Sequence, residues 1–273
     1  MIKLVALDMD GTLLDSSKEL PEENRRTIEE YAAKGVCFAF CTGRVMNELE
    51  LISKELPSVR YAVSCNGAYV SDLKNMESDY IYEDSFTVEE IRELYYLIKN
   101  KGFDMMFELQ ADGVVYAQES CINHPEQYGT EYIADIIKKT RVPVPDMEEF
   151  INNRTENVGK TNIFFPTTEI RNEALKAFEG LDYKFAYSEP ANIDINKKNS
   201  DKGVGLRKLA EYLNIRLDEV MAVGDNFNDI EFLNTAGFSV VMANAPEEIK
   251  KLADYVTLSN DECGVAYAIK KFC

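Results

Sequence analysis

The chain has 273 residues, 45% of them hydrophobic and 29% charged, an ordinary globular mixture with apolar chain enough for one large core or two modest ones. Lys+Arg 30 against Asp+Glu 48 leaves a net charge of −18, a field that repels polyanions and argues against nucleic-acid or acidic-membrane partners. A small phosphate ligand stays compatible with that charge wherever local cations or a metal reverse its sign.

No apolar run approaches the ~20 residues of a membrane helix, and the opening run meets Asp8 too soon for a signal peptide. Six cysteines without a Cys-x-x-Cys pair, beside the single His124, suit neither a zinc site nor a disulfide framework. A soluble, cytoplasmic protein is the expectation.

In chain order, Ile2–Leu7 is a short apolar run ended by Asp8-Met9-Asp10-Gly11, the pattern of a buried strand stopping at a turn. Pro21-Glu22-Glu23 opens a predicted helix through Lys34, and Gly35 closes it. Val36–Cys41 is a second strand, Arg44–Leu56 a helix, and Tyr61–Ser64 a third strand followed by Asn66-Gly67. Strands alternating with helices predict right-handed βαβ units around a parallel sheet.

The middle of the chain has another rhythm. Thr87–Lys101 reads as helix, and Phe103–Leu109 and Val114–Ala117 flank the hairpin signal Ala111-Asp112-Gly113. A helix is predicted near Glu126–Lys139, irregular chain at Arg141–Pro145, a strand at Asn157–Phe165, a helix at Thr168–Phe178 and a strand at Tyr183–Tyr187. From Asn192 the first rhythm returns, with strands at Ile193–Ile195, Val220–Val223, Phe238–Met242 and Tyr255–Thr257. Helices are predicted between and after them at Asp201–Leu213, Asn228–Thr235, Pro246–Leu252 and Glu262–Lys270. The expected fold is α/β: a Rossmann-like core with a mostly parallel sheet, residues 1–83 and 188–273, interrupted by a smaller inserted α/β unit at 84–187.

Four motifs carry chemistry, and each follows a predicted strand. In Asp8-Met9-Asp10-Gly11-Thr12-Leu13, two carboxylates at the carboxyl end of a strand repel unless a divalent cation or a proton lies between them. A phosphatase uses such a pair when Asp8 attacks phosphorus while Asp10 protonates the leaving oxygen and later deprotonates water. The same spelling also suits an acidic turn. Thr42-Gly43-Arg44 offers a hydroxyl and N–H groups for a phosphoryl oxygen, or a Thr42 helix cap. Lys202 lies in the first turn of a predicted helix, where a cation opposes the helix dipole. That placement has a reason if Lys202 faces Asp8 and a phosphate; otherwise it is a solvated lysine. Gly224-Asp225-Asn226-Phe227-Asn228-Asp229 adds carboxylates at a strand end, where Asp225 suits Mg²⁺, or forms a second acidic turn. A parallel sheet places all four motifs on one edge, with what phosphoryl transfer needs: positioning and charge neutralisation.

With these motifs in this order, and with Asn66-Gly67-Ala68 after the third strand, the sequence resembles the haloacid dehalogenase-like hydrolases, specifically their Cof-like sugar-phosphatase branch with a large α/β cap. The resemblance implies Mg²⁺ held by the Asp8 carboxylate, the Asp10 backbone carbonyl and Asp225, with Asp8 as nucleophile and Asp10 as general acid/base. It implies that Thr42, Gly43, Lys202 and Asn228 hold phosphate and that Asp229 supports the water shell of the metal. Arg44 and Asn66 are candidate substrate-side contacts, and the cap sets specificity. The expected activity is Mg²⁺-dependent hydrolysis of small phosphorylated metabolites, sugar phosphates first, through an aspartyl-phosphate. The alternatives are a phosphomutase or phosphotransferase using the same intermediate, and a non-enzymatic phosphoaspartate switch. His124 and the aromatic stretch Phe103–Tyr116 read as surface or packing residues, and Cys41 as a small buried hydrophobe.

Overall fold

The computed structural model describes residues 1–75, 80–187 and 190–273. Its strands, in chain order, are β1 (Leu4–Leu7), β2 (Cys37–Cys41), β3 (Tyr61–Ser64), β4 (Tyr69–Asp72), β5 (Tyr82–Glu83), β6 (Met106–Ala111) and β7 (Val114–Gln118). They continue with β8 (Arg141–Val144), β9 (Lys160–Phe164), β10 (Tyr183–Ala186), β11 (Asn192–Lys197), β12 (Val220–Gly224), β13 (Phe238–Val241) and β14 (Tyr255–Val256). The chain divides into two compact units, one of Met1–Arg44, Leu49–Glu83 and Ser200–Cys273, the other of Val45–Glu48 and Asp84–Asn199. No helix among the described residues is long and apolar enough to cross a membrane.

The first unit is built on an eight-stranded sheet in the order β14-β13-β12-β1-β2-β3-β4-β5. β1 reads Leu-Val-Ala-Leu and is buried at every position, as a strand covered on both faces must be. It pairs in parallel with β2 and β12, Leu7 lying opposite both Phe40 and Val223. The carboxyl ends of three strands therefore coincide. The order also reverses at β1, with β2 and β3 on one side and β12 to β14 on the other, and such a switch point opens a ligand crevice in an α/β sheet. The helix Lys202–Leu213 packs onto this core through Leu206, Leu209 and Ala210, and Asp201 caps it by accepting the Val204 N–H at 2.8 Å.

The sheet is longer than the sequence predicted. After Asn66-Gly67 the chain turns through left-handed Cys65 and Asn66 and runs back as β4, antiparallel to β3, with β5 added beyond it. Nothing in the βαβ pattern signalled that antiparallel edge.

The second unit carries a six-stranded sheet in the order β10-β11-β9-β6-β7-β8. The hairpin between β6 and β7 turns at Asp112 and Gly113, both at positive φ, as a two-residue turn requires. Helix Val88–Lys99 starts at a capping box of Thr87 and Glu90 and buries Val88, Ile91, Leu94, Tyr95 and Ile98, the helical spacing of one apolar face. Phe103, Phe107 and Tyr116 belong to the same core, so the aromatic stretch is packing. His124 is exposed beside Glu126.

Three expectations for this unit are corrected. The strand predicted at Ile193–Ile195 is the centre of β11 and pairs with β9 and β10, so it belongs to the second sheet and not to the core. The contact division accordingly returns to the first unit at Ser200, not at 188, a position outside the described residues. Arg141–Val144 is a strand despite Pro143, because among the described residues β8 pairs only with β7, and an edge strand leaves one row of backbone N–H groups without a ladder partner. The helix predicted at Glu126–Lys139 is broken by Gly129 at φ 63 into short turns and a helix at Ala134–Thr140.

Candidate active site

The first unit brings the carboxylates of Asp8, Asp225 and Asp229 together, with one oxygen of each lying within 4.8 Å of the others, all three residues buried. Asp8 follows β1 and Asp225 follows β12, so the parallel register delivers both to one place. Asp229 arrives from the turn Phe227–Asp229, where its Oδ2 accepts the N–H groups of Asp225 at 2.9 Å and Asn226 at 3.0 Å.

Lys202 enters the cluster from the first turn of its helix. Its Nζ donates to Asp8 Oδ1 at 2.6 Å and to Asp229 Oδ1 at 2.7 Å, and its side chain has no solvent exposure. Burial by itself would lower the pKa of this ammonium, but the charges of Asp229 and Asp8 carry it well above its usual value. Lys202 is therefore a permanent cation. One cation against three buried acids leaves the cluster short of positive charge. Burial, reinforced by Asp229, raises Asp8 well above the carboxylate range in spite of Lys202. Burial and the same neighbour push Asp225 up to about 6, against the lowering hydrogen bond from Thr12. Oxygen ligands, net negative charge and raised pKa values together fit a hard divalent cation.

Gly11 lets the loop after β1 close over this cluster. Its φ is +79, and a Cβ at that position would fall 2.5 Å from Asp225 Oδ2. Thr12, fully buried, donates from Oγ1 to Asp225 Oδ1 at 2.8 Å and fixes that carboxylate. Asn244 Nδ2 donates to the Gly11 carbonyl at 2.8 Å.

Asp10 points elsewhere. Its carboxylate is held by Arg44 through Nε at 2.8 Å and Nη2 at 2.7 Å, with Lys18 Nζ at 2.9 Å. Burial would raise this carboxyl, but the paired hydrogen bonds and charge of Arg44, helped by Lys18, hold it well below the usual carboxylate range. Arg44, expected as a substrate-side contact, is thus engaged with Asp10.

Thr42 is buried after β2, its N–H bonded to the Val63 carbonyl at 2.8 Å. The helix after Thr42 begins only at Met46, beyond reach of a Thr42 cap, so its Oγ1 instead accepts the Arg44 N–H at 3.2 Å and closes a local turn. Asn66 donates its N–H to the Thr42 carbonyl at 3.0 Å, and its side chain lies so close to Gly43 that a Cβ there would be 2.9 Å from Oδ1. Asn228 is half-buried in the turn beside Asp229. Cys41 is buried, its thiol pushed up by desolvation, which leaves it an inert apolar residue.

The motif residues singled out from the sequence thus lie in one unit, in three groups: Asp8, Lys202, Asp225 and Asp229 with Asn228 in the adjoining turn, Asp10 with Arg44, and Thr42 with Gly43 and Asn66. Thr12 belongs to the first motif, and a hydroxyl four residues after a strand-end aspartate was a usable signal for its contact with Asp225. Lys18 and Asn244 gave none, since their partners are set by loops.

A family model described as haloacid dehalogenase-like hydrolase matches residues 5–269. The 5-amino-6-(5-phospho-D-ribitylamino)uracil phosphatase YcsE of Bacillus subtilis is 30% identical over 271 residues, spanning 98% of this chain and 95% of its own length. A haloacid dehalogenase-like hydrolase from Bacteroides thetaiotaomicron matches the fold with a TM-score of 0.84 at 27% identity, covering 100% of both chains. The HAD subclass IIB sugar phosphatase BT4131 matches with a TM-score of 0.81 at 26% identity, over 99% of this chain and 98% of that one. Residue order, sheet topology and these likenesses agree, and the chain belongs to the haloacid dehalogenase-like hydrolases, in their Cof-like phosphatase branch.

Proposed function

We propose that this phosphatase is Mg²⁺-dependent and hydrolyses small phosphorylated metabolites, sugar phosphates first among them, through an aspartyl-phosphate on Asp8. The observation that carries the reading is the buried Lys202 bridging Asp8 and Asp229 beside Asp225. Asp8 and Asp225, with the Asp10 carbonyl, would hold the metal, and Mg²⁺ bound there supplies positive charge against the phosphoryl oxygens.

Lys202 fixes the Asp8 carboxylate through one oxygen, which leaves the other to attack phosphorus. A new Asp8 O–P bond forms as the ester O–P bond breaks. The leaving alkoxide takes a proton from Asp10, which then accepts one from the water that cleaves the aspartyl-phosphate. Asp10 rests as a carboxylate clamped by Arg44, so it becomes an acid only when substrate loosens that pair. Thr42, the Gly43 N–H and Asn228 contact the phosphoryl group, and Asp229 holds Lys202 and the Asp225 loop in place. The inserted unit selects the alcohol half of the ester, and Asn66 is a candidate contact for it.

The test is hydrolysis of an aryl phosphate with and without Mg²⁺, in wild type and Asp8→Asn. Turnover abolished by EDTA and by the substitution is the expected result. An Asp8→Asn enzyme with wild-type rate would remove Asp8 as nucleophile. Transfer of phosphate to an added sugar faster than to water would favour the phosphotransferase instead.

A further inference from the structure

Beyond β1 the chain leaves the ladders of the first sheet, and its carbonyl groups need other donors. Asparagine side chains supply three, all within the first unit. Asn244 Nδ2 donates to the Gly11 carbonyl at 2.8 Å, Asn24 Nδ2 to that of Leu13 at 3.0 Å, and Asn260 Nδ2 to that of Leu14 at 3.0 Å. Two of the three are linked. Asn244 Oδ1 accepts the backbone N–H of Asn260 at 3.0 Å, so its amide is oriented from both ends, oxygen toward Asn260 and nitrogen toward Gly11. Asn244 and Asn260 together grip the loop at Gly11 and at Leu14.

What they grip is the turn that carries Asp10. The Thr12 N–H bonds back to the Met9 carbonyl, which makes Met9–Thr12 a four-residue turn with Asp10 and Gly11 at its centre. Of those two only Gly11 has a positive φ, +79, the pattern of a type II turn. The Met9 carbonyl is shared with the Leu14 N–H at 2.9 Å, and the Thr12 bond that closes the turn is left long at 3.3 Å. The turn is thus weakly held from within. The shorter bond from Asn244 falls on the peptide joining Gly11 to Thr12 and holds it from outside.

At rest Arg44 and Lys18 hold the Asp10 carboxylate. Once substrate loosens that pair, the backbone of the turn decides where Asp10 points. We propose that Asn244, steadied by Asn260, is a positioning residue that fixes the Gly11 peptide and so aims Asp10 at the leaving oxygen. The inference rests on the phosphatase reading, in which Asp10 is the acid.

Benzyl phosphate and 4-nitrophenyl phosphate test it, because they are of similar bulk and only the benzyl alkoxide needs a proton to leave. Their ratio of kcat/KM is taken within one protein sample, so a smaller folded fraction cancels. Asn244 is exposed, and substitution there costs the fold little. Asn244→Ala removes both of its bonds, whereas Asn244→Asp keeps the oxygen that accepts from Asn260 and removes only the donor to Gly11. The benzyl-to-nitrophenyl ratio should fall by about five- to tenfold in both variants. A ratio unchanged in Asn244→Ala, or kept at the wild-type value by Asn244→Asp, overturns the inference alone. A wild type that cleaves the nitrophenyl ester and not the benzyl ester overturns it too, since no acid is then being aimed. No turnover of either ester overturns the phosphatase reading beneath it.

Discussion

Lys202 holds Asp8 at 2.6 Å and Asp229 at 2.7 Å from one ammonium group, with Lys202 and Asp229 sealed from water and Asp8 buried beside them. Removing the cation leaves two buried carboxylates facing each other. Lys202→Met should therefore destabilise the protein by about 3–5 kcal/mol, as breaking a buried ion pair from one side does. Urea denaturation measures that loss. Turnover should also fall by at least about a hundredfold, because the charge that orients Asp8 is gone. A variant with unchanged stability and rate would show that Lys202 is incidental to the cluster.

Arg44 governs the proton inventory of Asp10. Its paired hydrogen bonds and charge lower that carboxyl, so Arg44→Met should raise its pKa. The pH profile of kcat/KM for an alkyl phosphate reads this directly, since a poor leaving group needs Asp10 protonated. The alkaline limb should move upward by about one pH unit or more. A profile that keeps its position would mean that another group supplies the proton.

Asp225 makes stability depend on pH with a defined sign. Its folded pKa of about 6 lies above the ordinary 3.8, so between those values the folded state binds the proton more tightly than the unfolded state does. Below the window there is no penalty. As pH rises through it, the metal-free protein loses up to ~3 kcal/mol from this group. A divalent cation offsets what deprotonation costs. Mg²⁺ should therefore raise Tm clearly at pH 7.5 and hardly at pH 4.5, and equal shifts at both would contradict the assignment.

Gly11→Ala tests the loop over the cluster. The left-handed backbone alone costs an alanine ~1–2 kcal/mol, and the added Cβ would meet the Asp225 carboxylate at 2.5 Å. The variant should melt earlier and require more Mg²⁺ for half-maximal turnover. An unchanged Mg²⁺ requirement would separate the loop from the metal site.

Much of the first unit was legible in the sequence because parallel strands buried on both faces read as continuous apolar runs, as in Leu4–Leu7 and Val220–Gly224. Such strands end where a polar residue must leave the sheet, so Asp8, Thr42 and Asp225 marked themselves. The net charge argued against polyanion partners, and motif order with strand rhythm was enough to name the family. These features are local, and local chemistry writes them.

What the sequence left open was decided by pairing between distant segments. Ile193-Asp194-Ile195 alternates apolar and polar residues where the core strands are continuous, yet the segment is too short for that to place it, and its ladder with Lys160–Phe164 assigns it to the second sheet. Pro143 looked like a break until the edge position of its strand made a missing N–H harmless. The partners of Asp10 likewise depend on where Arg44 and Lys18 come to rest. Apolar periodicity specifies which residues are buried. Which buried charge meets which is set by the tertiary fold, because an ion pair between distant segments, unlike one within a helix, follows no spacing rule along the chain.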